Sequence, residues 1–235
     1  MPPEKLIVIS DVHSNLPALE AVLADISRRG LSAAPVCFLG DAVDLGPFPA
    51  ETVGLLRSLN LVLRVKGNHD RYAGDGAPRA ELERYLRCAE GADHVRWTGA
   101  ALSREDRVWL ASAPLTACLT LGGAVFRCFH ASPHSDEVPF SPDSLEGGVL
   151  CGHTHAPFIR VYPGGALLVN PGSVGGPLDG NPAASYALLT LNGRAEAEIV
   201  RVPYDLELFS AGLRRGSVPW GPAIDAVVRR ASFRP

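Results

Sequence analysis

Carboxylates, amides and imidazoles recur in this chain directly after apolar runs. LIVIS leads into Asp11-Val12-His13, VCFLG into Asp41-Ala42-Val43-Asp44, and LVLRV into Asn68-His69-Asp70. Further along, AVFRCF ends at His130, and GVLC runs into Gly152-His153-Thr154-His155. Taken singly, each has an ordinary explanation. An Asp after a strand can cap a helix, Gly-Asn-His-Asp can form a tight turn, and a lone His130 is more often a satisfied core residue than a ligand. Taken together they do not, because five of the 7 histidines fall at these run ends. So many carboxylates and imidazoles at one partly buried edge are costly unless something compensates them. A bound cation removes that cost. Asp, Asn and His without thiolate suit a hard-to-borderline divalent ion. The ligand count is too large for one such ion and right for two.

The elements that must position these groups follow from periodicity. The short continuous apolar runs at 6–10, 36–40 and 61–65 read as buried strands. Between them, Leu16–Arg29 and Pro49–Leu59 carry helical spacing, with Gly30 a natural stop. This βαβαβ order predicts a parallel sheet layered with helices. Residues 72–113 are more polar, with helices expected over Glu81–Cys88 and Ser103–Leu110 and Ser103 as N-cap ahead of Asp106. Strands then crowd at 115–121, 124–130, 148–152, 158–162, 166–170, 185–191 and 197–203, several separated by Gly-Gly or Asn-Gly turns suited to hairpins. Asp205–Arg215 and Ala223–Arg230 close the chain as helices. In layered α/β sheets, ligands bind outside the carboxyl ends of strands, which is where the polar groups lie. Gly40, Gly67 and Gly152 beside them are expected to allow the sharp turns that aim the side chains at one point. No repeat or linker interrupts the chain, so 1–235 reads as a single domain.

The five blocks, in order, resemble the calcineurin-like metallophosphoesterase superfamily. The family pattern of D-x-H, G-D-x-x-D, G-N-H-[DE], a lone His and G-H-x-H reads here as DVH at 11–13, GDAVD at 40–44, GNHD at 67–70, His130 and GHTH at 152–155. VNPGSVGGPLDGNPAASYALL (169–189) and RVPYDLE (201–207) resemble the corresponding segments of its small bacterial and archaeal phosphodiesterase branch. The resemblance implies an αββα four-layer sandwich, two packed mixed β-sheets flanked by helices. It implies one metal held by Asp11, His13 and His155, and another held by Asn68, His130 and His153, with Asp41 bridging. A hydroxide bridging the metals would attack phosphorus in line. His69 would sit near the leaving-group oxygen as general acid or charge stabiliser, oriented by Asp44. Two cations ~3.5–4 Å apart can clamp the attacking and leaving oxygens of such a displacement. Mn²⁺ heads the expected cofactors, with Fe, Zn or Ni also accepting this ligand set.

The expected activity is therefore phosphodiesterase or phosphatase action on a small phosphate ester. A nucleotidase or dinucleoside polyphosphate hydrolase is the alternative, and a non-catalytic scaffold of the same fold a weaker one, since every ligand position and His69 are present. Leu45 stands where superfamily protein phosphatases carry Arg, which argues against a phosphoprotein substrate. Ala131, Gly176 and Leu178 also depart from the branch pattern, the first bearing on loop backbone and the others on contacts to substrate or a neighbouring subunit. Walls of the site are expected from 71–100 and 131–147, with Arg71 and Asn15 left between a phosphate contact and a surface or turn role. His94 and His134 are expected on the solvated surface.

Composition narrows the setting. The formal charge of −3 and the lack of a long basic run argue against a nucleic-acid surface. No apolar run is long enough to span a bilayer, and MPPEKLIVIS enters a strand without a signal-peptide core, so a cytoplasmic protein is expected. Cys37, Cys88, Cys118, Cys128 and Cys151 are odd in number and lack CxxC spacing, which predicts free thiols, mostly buried, with Cys151 a core residue rather than a ligand or nucleophile.

Overall fold

A computed structural model describes residues 4–86 and 89–233. The chain opens with β1 (Glu4–Ile9), α1 (Leu16–Arg28), β2 (Val36–Phe38), α2 (Pro49–Ser58) and β3 (Leu61–Arg64). A helical stretch follows: α3 (Asn68–Arg71), running into a π-turn, then α4 (Arg79–Leu86), α5 (Ala89–Ala101) and α6 (Arg104–Ala111). Next come β4 (Thr116–Leu121), β5 (Ala124–Phe129), β6 (Gly148–Leu150), β7 (Phe158–Val161), β8 (Leu167–Asn170), β9 (Ala184–Asn192) and β10 (Arg194–Val202), and finally α7 (Leu206–Arg215) and α8 (Gly221–Arg230). The strands form two mixed five-stranded sheets, ordered β10-β9-β1-β2-β3 and β4-β5-β6-β8-β7. The pair of mixed sheets flanked by helices is the architecture the sequence predicts.

The first strand shows why its sequence is apolar from Leu6 onward. Leu6 and Val8 face the second sheet, packing with Cys37, Leu39, Phe126, Leu150 and Val169. Ile7 and Ile9 face the other way, against Leu19, Val22 and Ile26 of α1 and Val53 and Leu56 of α2. Side chains alternate across a strand, so a strand covered on both faces has no polar positions. β1, β2 and β3 run parallel, and so do β5, β6 and β8. The carboxyl ends of both parallel groups meet at one edge, where the polar blocks emerge.

Local chemistry sets the boundaries. Asn15 caps α1, its side chain accepting from the Ala18 amide at 3.2 Å. Ser103 and Asp106 form the expected reciprocal capping box at α6. Gly122 and Gly123, at φ of 52° and 83°, supply the left-handed pair needed by the two-residue β4–β5 hairpin.

Two expectations need correction. The stretch 72–113 reads as helical in the sequence, but α5 is not picked out within it, because its buried face is Gly91, Ala92, His94, Val95 and Thr98, small and polar rather than an apolar stripe. Cys118 is exposed; it points outward from edge strand β4, while Leu121, three residues on and so on the opposite face, points into the core. Cys37, Cys128 and Cys151 are buried as expected, and burial pushes the Cys151 thiol up to about 12, unsuited to nucleophilic attack. The expected helix over Glu81–Cys88 is present as α4, with Arg87 and Cys88 outside the described residues.

Candidate metal centre and active site

The ligand-bearing segments are unusual in backbone as well as side chain. Asp11, His13, Ser14, Asp41, Asp44, Leu45, His153 and His155 all have φ between 50° and 73°. Left-handed backbone costs an L-residue roughly 1 kcal/mol or more, and its concentration here marks conformations the surrounding structure enforces. The enforcement is visible in the hydrogen bonds that lace the loops together. Asp11 N donates to Gly40 O, Val12 and His13 N to Asp41 O, and Gly175 N to Asp11 O, at 2.8–3.0 Å. Asp70 adds a brace, its carboxylate accepting from the amides of Asp41, Ala42 and Gly67 at 2.8–3.1 Å. Close approach needs glycine as much as turning does. Gly40 has φ 93°, but Gly67 and Gly152 lie outside the left-handed region; a Cβ on either would sit 2.0 Å from Asp41 Oδ1 or Ser10 Oγ.

The side chains converge. His13 and His155 place their Nε2 atoms 3.0 Å apart, and His155 Nε2 lies 3.2 Å from Asp11 Oδ1. Asp41 Oδ2 lies 3.2 Å from His130 Nε2 and 3.7 Å from His13 Nε2. Two groups of ligand atoms result, Asp11-His13-His155 and Asp11-Asp41-His130, every member buried. His153 stands beside the second group, Nδ1 3.3 Å from His130 Nε2, and its backbone amide donates to Asp11 Oδ2 at 3.1 Å. Asn68 is buried at the start of α3, directly after the glycine that abuts Asp41.

This donor set fits divalent metal ions. His13, His130 and His155 each use Nδ1 against a backbone carbonyl, of Val43 (3.1 Å), Leu39 (2.8 Å) and Gly176 (2.5 Å). That fixes the tautomer and leaves each Nε2 lone pair facing the carboxylates, the usual arrangement behind a metal-ligating histidine. Asp11 Oδ1 is buried without a hydrogen bond, a position a cation would satisfy. The electrostatics show how tightly the groups interact. Burial pushes the Asp11 carboxyl up, but His155 and His130 outweigh it and hold it at about 2. Burial and the His155 imidazole depress His13 to about 3. His130, lowered by burial but raised more by Asp41, reaches about 10.

His69 is placed differently. Its amide donates to Asp41 Oδ1 at 2.9 Å, and its Nδ1 meets Asp44 Oδ2 at 2.5 Å. Burial opposes the charge on this ring, yet Asp41 and Asp44 raise it to about 9. Asp44 in turn lies on His94, whose Nε2 is 3.0 Å from Asp44 Oδ1, and accepts from Thr98 Oγ1 at 3.3 Å. His94 is only 1% exposed, stacked on Trp97, with Nδ1 3.0 Å from Pro219 O. The expectation of a surface His94 is thus overturned: α5 turns it inward because Asp44 supplies the charge partner a buried imidazole needs. His134 is exposed as expected.

Other expectations resolve at this site. Left-handed φ at His153 and His155, with Thr154 N donating to Gly152 O at 2.8 Å, means the GHTH backbone is tightly coiled rather than extended. Asn15 is structural, donating to Gly175 O and Tyr204 Oη. Arg71 is tied by Asp136, Glu81 and Glu137. Ala131 keeps φ negative, so its methyl needs no left-handed backbone. Asn170 was missed. Its side-chain amide donates to Gly152 O at 2.7 Å and Thr154 Oγ1 at 3.0 Å, steadying GHTH; as the last residue of β8 it obeys the strand-end rule and could have been found by it.

A cavity of about 660 Å³ opens over His13, Asp41, His69, His153 and His155. Among the described residues, the segments 71–100 and 131–147, expected as walls, contribute only Pro139 to it. Its far wall comes instead from α7, α8 and the residues around them, because the C-terminal helices fold back across the strand ends.

Residues 5–194 match the calcineurin-like phosphoesterase superfamily domain. The chain belongs to this superfamily. An uncharacterized protein of Methanocaldococcus jannaschii is 36% identical over 85% of this chain and 88% of its own. A metallophosphoesterase from Sphaerobacter thermophilus superposes with TM-score 0.76 at 27% identity, over 97% of this chain and 99% of that one. A hypothetical protein of Pyrococcus horikoshii shares the fold, with TM-score 0.80 at 19% identity over 95% and 97% of the two chains. The phosphoesterase is accordingly a metal-dependent phosphoric ester hydrolase. No helix among the described residues is long and apolar enough to cross a membrane.

Proposed function

We propose that the phosphoesterase is a dinuclear phosphodiesterase acting on a small phosphate ester. One observation carries this: two buried ligand groups share Asp11 and lie beside a histidine aimed, through Asp44, into the same cavity. Asp11, His13 and His155 would hold one ion, and Asn68, His130 and His153 the other. Asp41, with one oxygen near an imidazole of each set, would bridge. When bound, such ions supply Lewis acidity toward the phosphoryl oxygens and lower the pKa of water.

The chain's own residues do the rest. The carbonyls of Val43, Leu39 and Gly176 keep three imidazoles in the ligating tautomer. Asp44 accepts a hydrogen bond from the Nδ1–H of His69, which orients the ring so that its Nε2–H would protonate the departing ester oxygen. A proton delivered there makes the leaving group an alcohol rather than an alkoxide, a contribution of roughly 10²–10⁴-fold. Asp41, whose Oδ1 accepts from the His69 amide at 2.9 Å, supports this role by holding the His69 backbone. Manganese heads the candidate metals because oxygen and imidazole donors without thiolate accept it readily.

The reading is tested by elemental analysis of the purified protein together with hydrolysis of bis-p-nitrophenyl phosphate under added Mn²⁺. Two bound ions per chain and turnover are expected; no bound transition metal and no turnover would overturn it. Asp41→Asn should weaken both ions together. Loss of one ion alone would show that Asp41 does not bridge.

A further inference from the structure

The cavity over the metal ligands is polar only at its floor. Leu178, Trp220, Ile224, Val227, Val228 and Phe233 form its opposite wall, and no Lys or Arg lines it among the described residues. The nearby cations are engaged elsewhere. Arg71 is held by three carboxylates. Arg229 of α8 turns to α7, pairing with Glu207 and Asp225 at 2.7 and 3.1 Å and donating to Ser210 Oγ at 2.6 Å. That polar seam fixes the rotation of α8. With Asp225 and Arg229 on the α7 side, Val227 is left to face the cavity, while Ile224 and Val228 pack on Phe209 and Leu213 of α7 and complete the lining.

A space of about 660 Å³ is the size of a small-molecule site. Its occupant must place a phosphoryl group at the floor and the remainder against aliphatic and aromatic carbon. A polyphosphate chain would bring several anionic charges into a wall with no cation to meet them. We propose, on the reading of the site given above, that the substrate is a phosphate ester with an apolar substituent, alkyl or aryl, seated against α8. Residues Ile224, Val227 and Trp220 are then specificity determinants, rejecting nucleotide polyphosphates and favouring esters with a bulky uncharged substituent.

The test uses the full chain loaded with Mn²⁺. Hydrolysis of 4-nitrophenyl phosphodiesters whose second substituent is methyl, hexyl or phenyl is compared with that of diadenosine tetraphosphate. Binding of methylphosphonate and hexylphosphonate is measured by calorimetry. The hexyl and phenyl esters should exceed the methyl ester in kcat/KM by roughly tenfold or more. Hexylphosphonate should bind correspondingly tighter, with a more negative heat-capacity change. Val227→Asp should collapse the hexyl-to-methyl ratio, a quantity insensitive to the fraction of protein folded. Hydrolysis with a flat series, or preference for the dinucleotide, overturns the proposal and leaves the phosphodiesterase reading standing. No hydrolysis of any ester, with hexylphosphonate still bound more tightly, does the reverse.

Discussion

His69 and His94 divide the work of one buried carboxylate. Asp44 meets His69 through Oδ2 and His94 through Oδ1, and these imidazoles hold its carboxyl well below the usual range despite burial, which acts in the opposite sense. His69 lines the cavity, whereas His94 does not and instead meets Asp44, Trp97 and the Pro219 carbonyl. The two should therefore fail differently. His69→Ala should keep its full metal content and lose roughly 10²–10⁴-fold in kcat; loss of metal on elemental analysis would instead make it a ligand. His94→Leu should lower kcat by roughly 10–100-fold, as loss of an outer orienting partner does, with KM and metal content unchanged. His94→Gln, whose amide can still donate to Asp44, should recover part of that loss. At this scale the sequence was informative wherever a residue lay in a strand-end block. His94 lay in none, and its polar neighbourhood concealed that α5 turns it inward.

Elements carry the ligands through close backbone contact, and glycine is the price of admission at the tightest point. A Cβ on Gly67 would fall 2.0 Å from Asp41 Oδ1 and 2.5 Å from the Asp41 amide. Gly67→Ala should lower stability by about 1–3 kcal/mol in urea unfolding and impair retention of metal, since β3 and the loop after β2 must separate. Gly54→Ala is the contrast. Nothing lies within 4 Å of a Cβ there, and the position is inside exposed α2, so stability should rise by about 0.5–1 kcal/mol. Element type was legible wherever one period ruled: the alternation hidden in β1, the stripe of α1, the capping box of α6. It was not legible in α5, where the buried face is small and polar. Nor was the GHTH backbone, whose two left-handed histidines are held by Asn170 and by loops distant in sequence.

At the scale of the whole molecule, three buried imidazoles and two buried carboxylates face one another, and Asp11 Oδ1 has no hydrogen-bonding partner. Bound metal should therefore stabilise the folded chain selectively. At free metal about 100 times Kd, linkage contributes about 2.7 kcal/mol, so a chelator should lower the melting temperature by roughly 5–10 °C for a chain of this size, measured by calorimetry with and without EDTA. Unchanged melting would mean that the cluster is satisfied without an ion. The sequence by itself determined the sheet-forming elements, the strand-end chemistry and the superfamily, because those depend on local period and on motif spacing along the chain. Only the tertiary structure decided that His94 supports Asp44, that Arg71 is neutralised, and that α7 and α8 wall the cavity with carbon. Those facts depend on which surfaces meet once separate segments of the chain are folded together. Periodicity shows that a helix has an apolar face, but packing chooses what that face covers, and here it covers the space above the metal ligands.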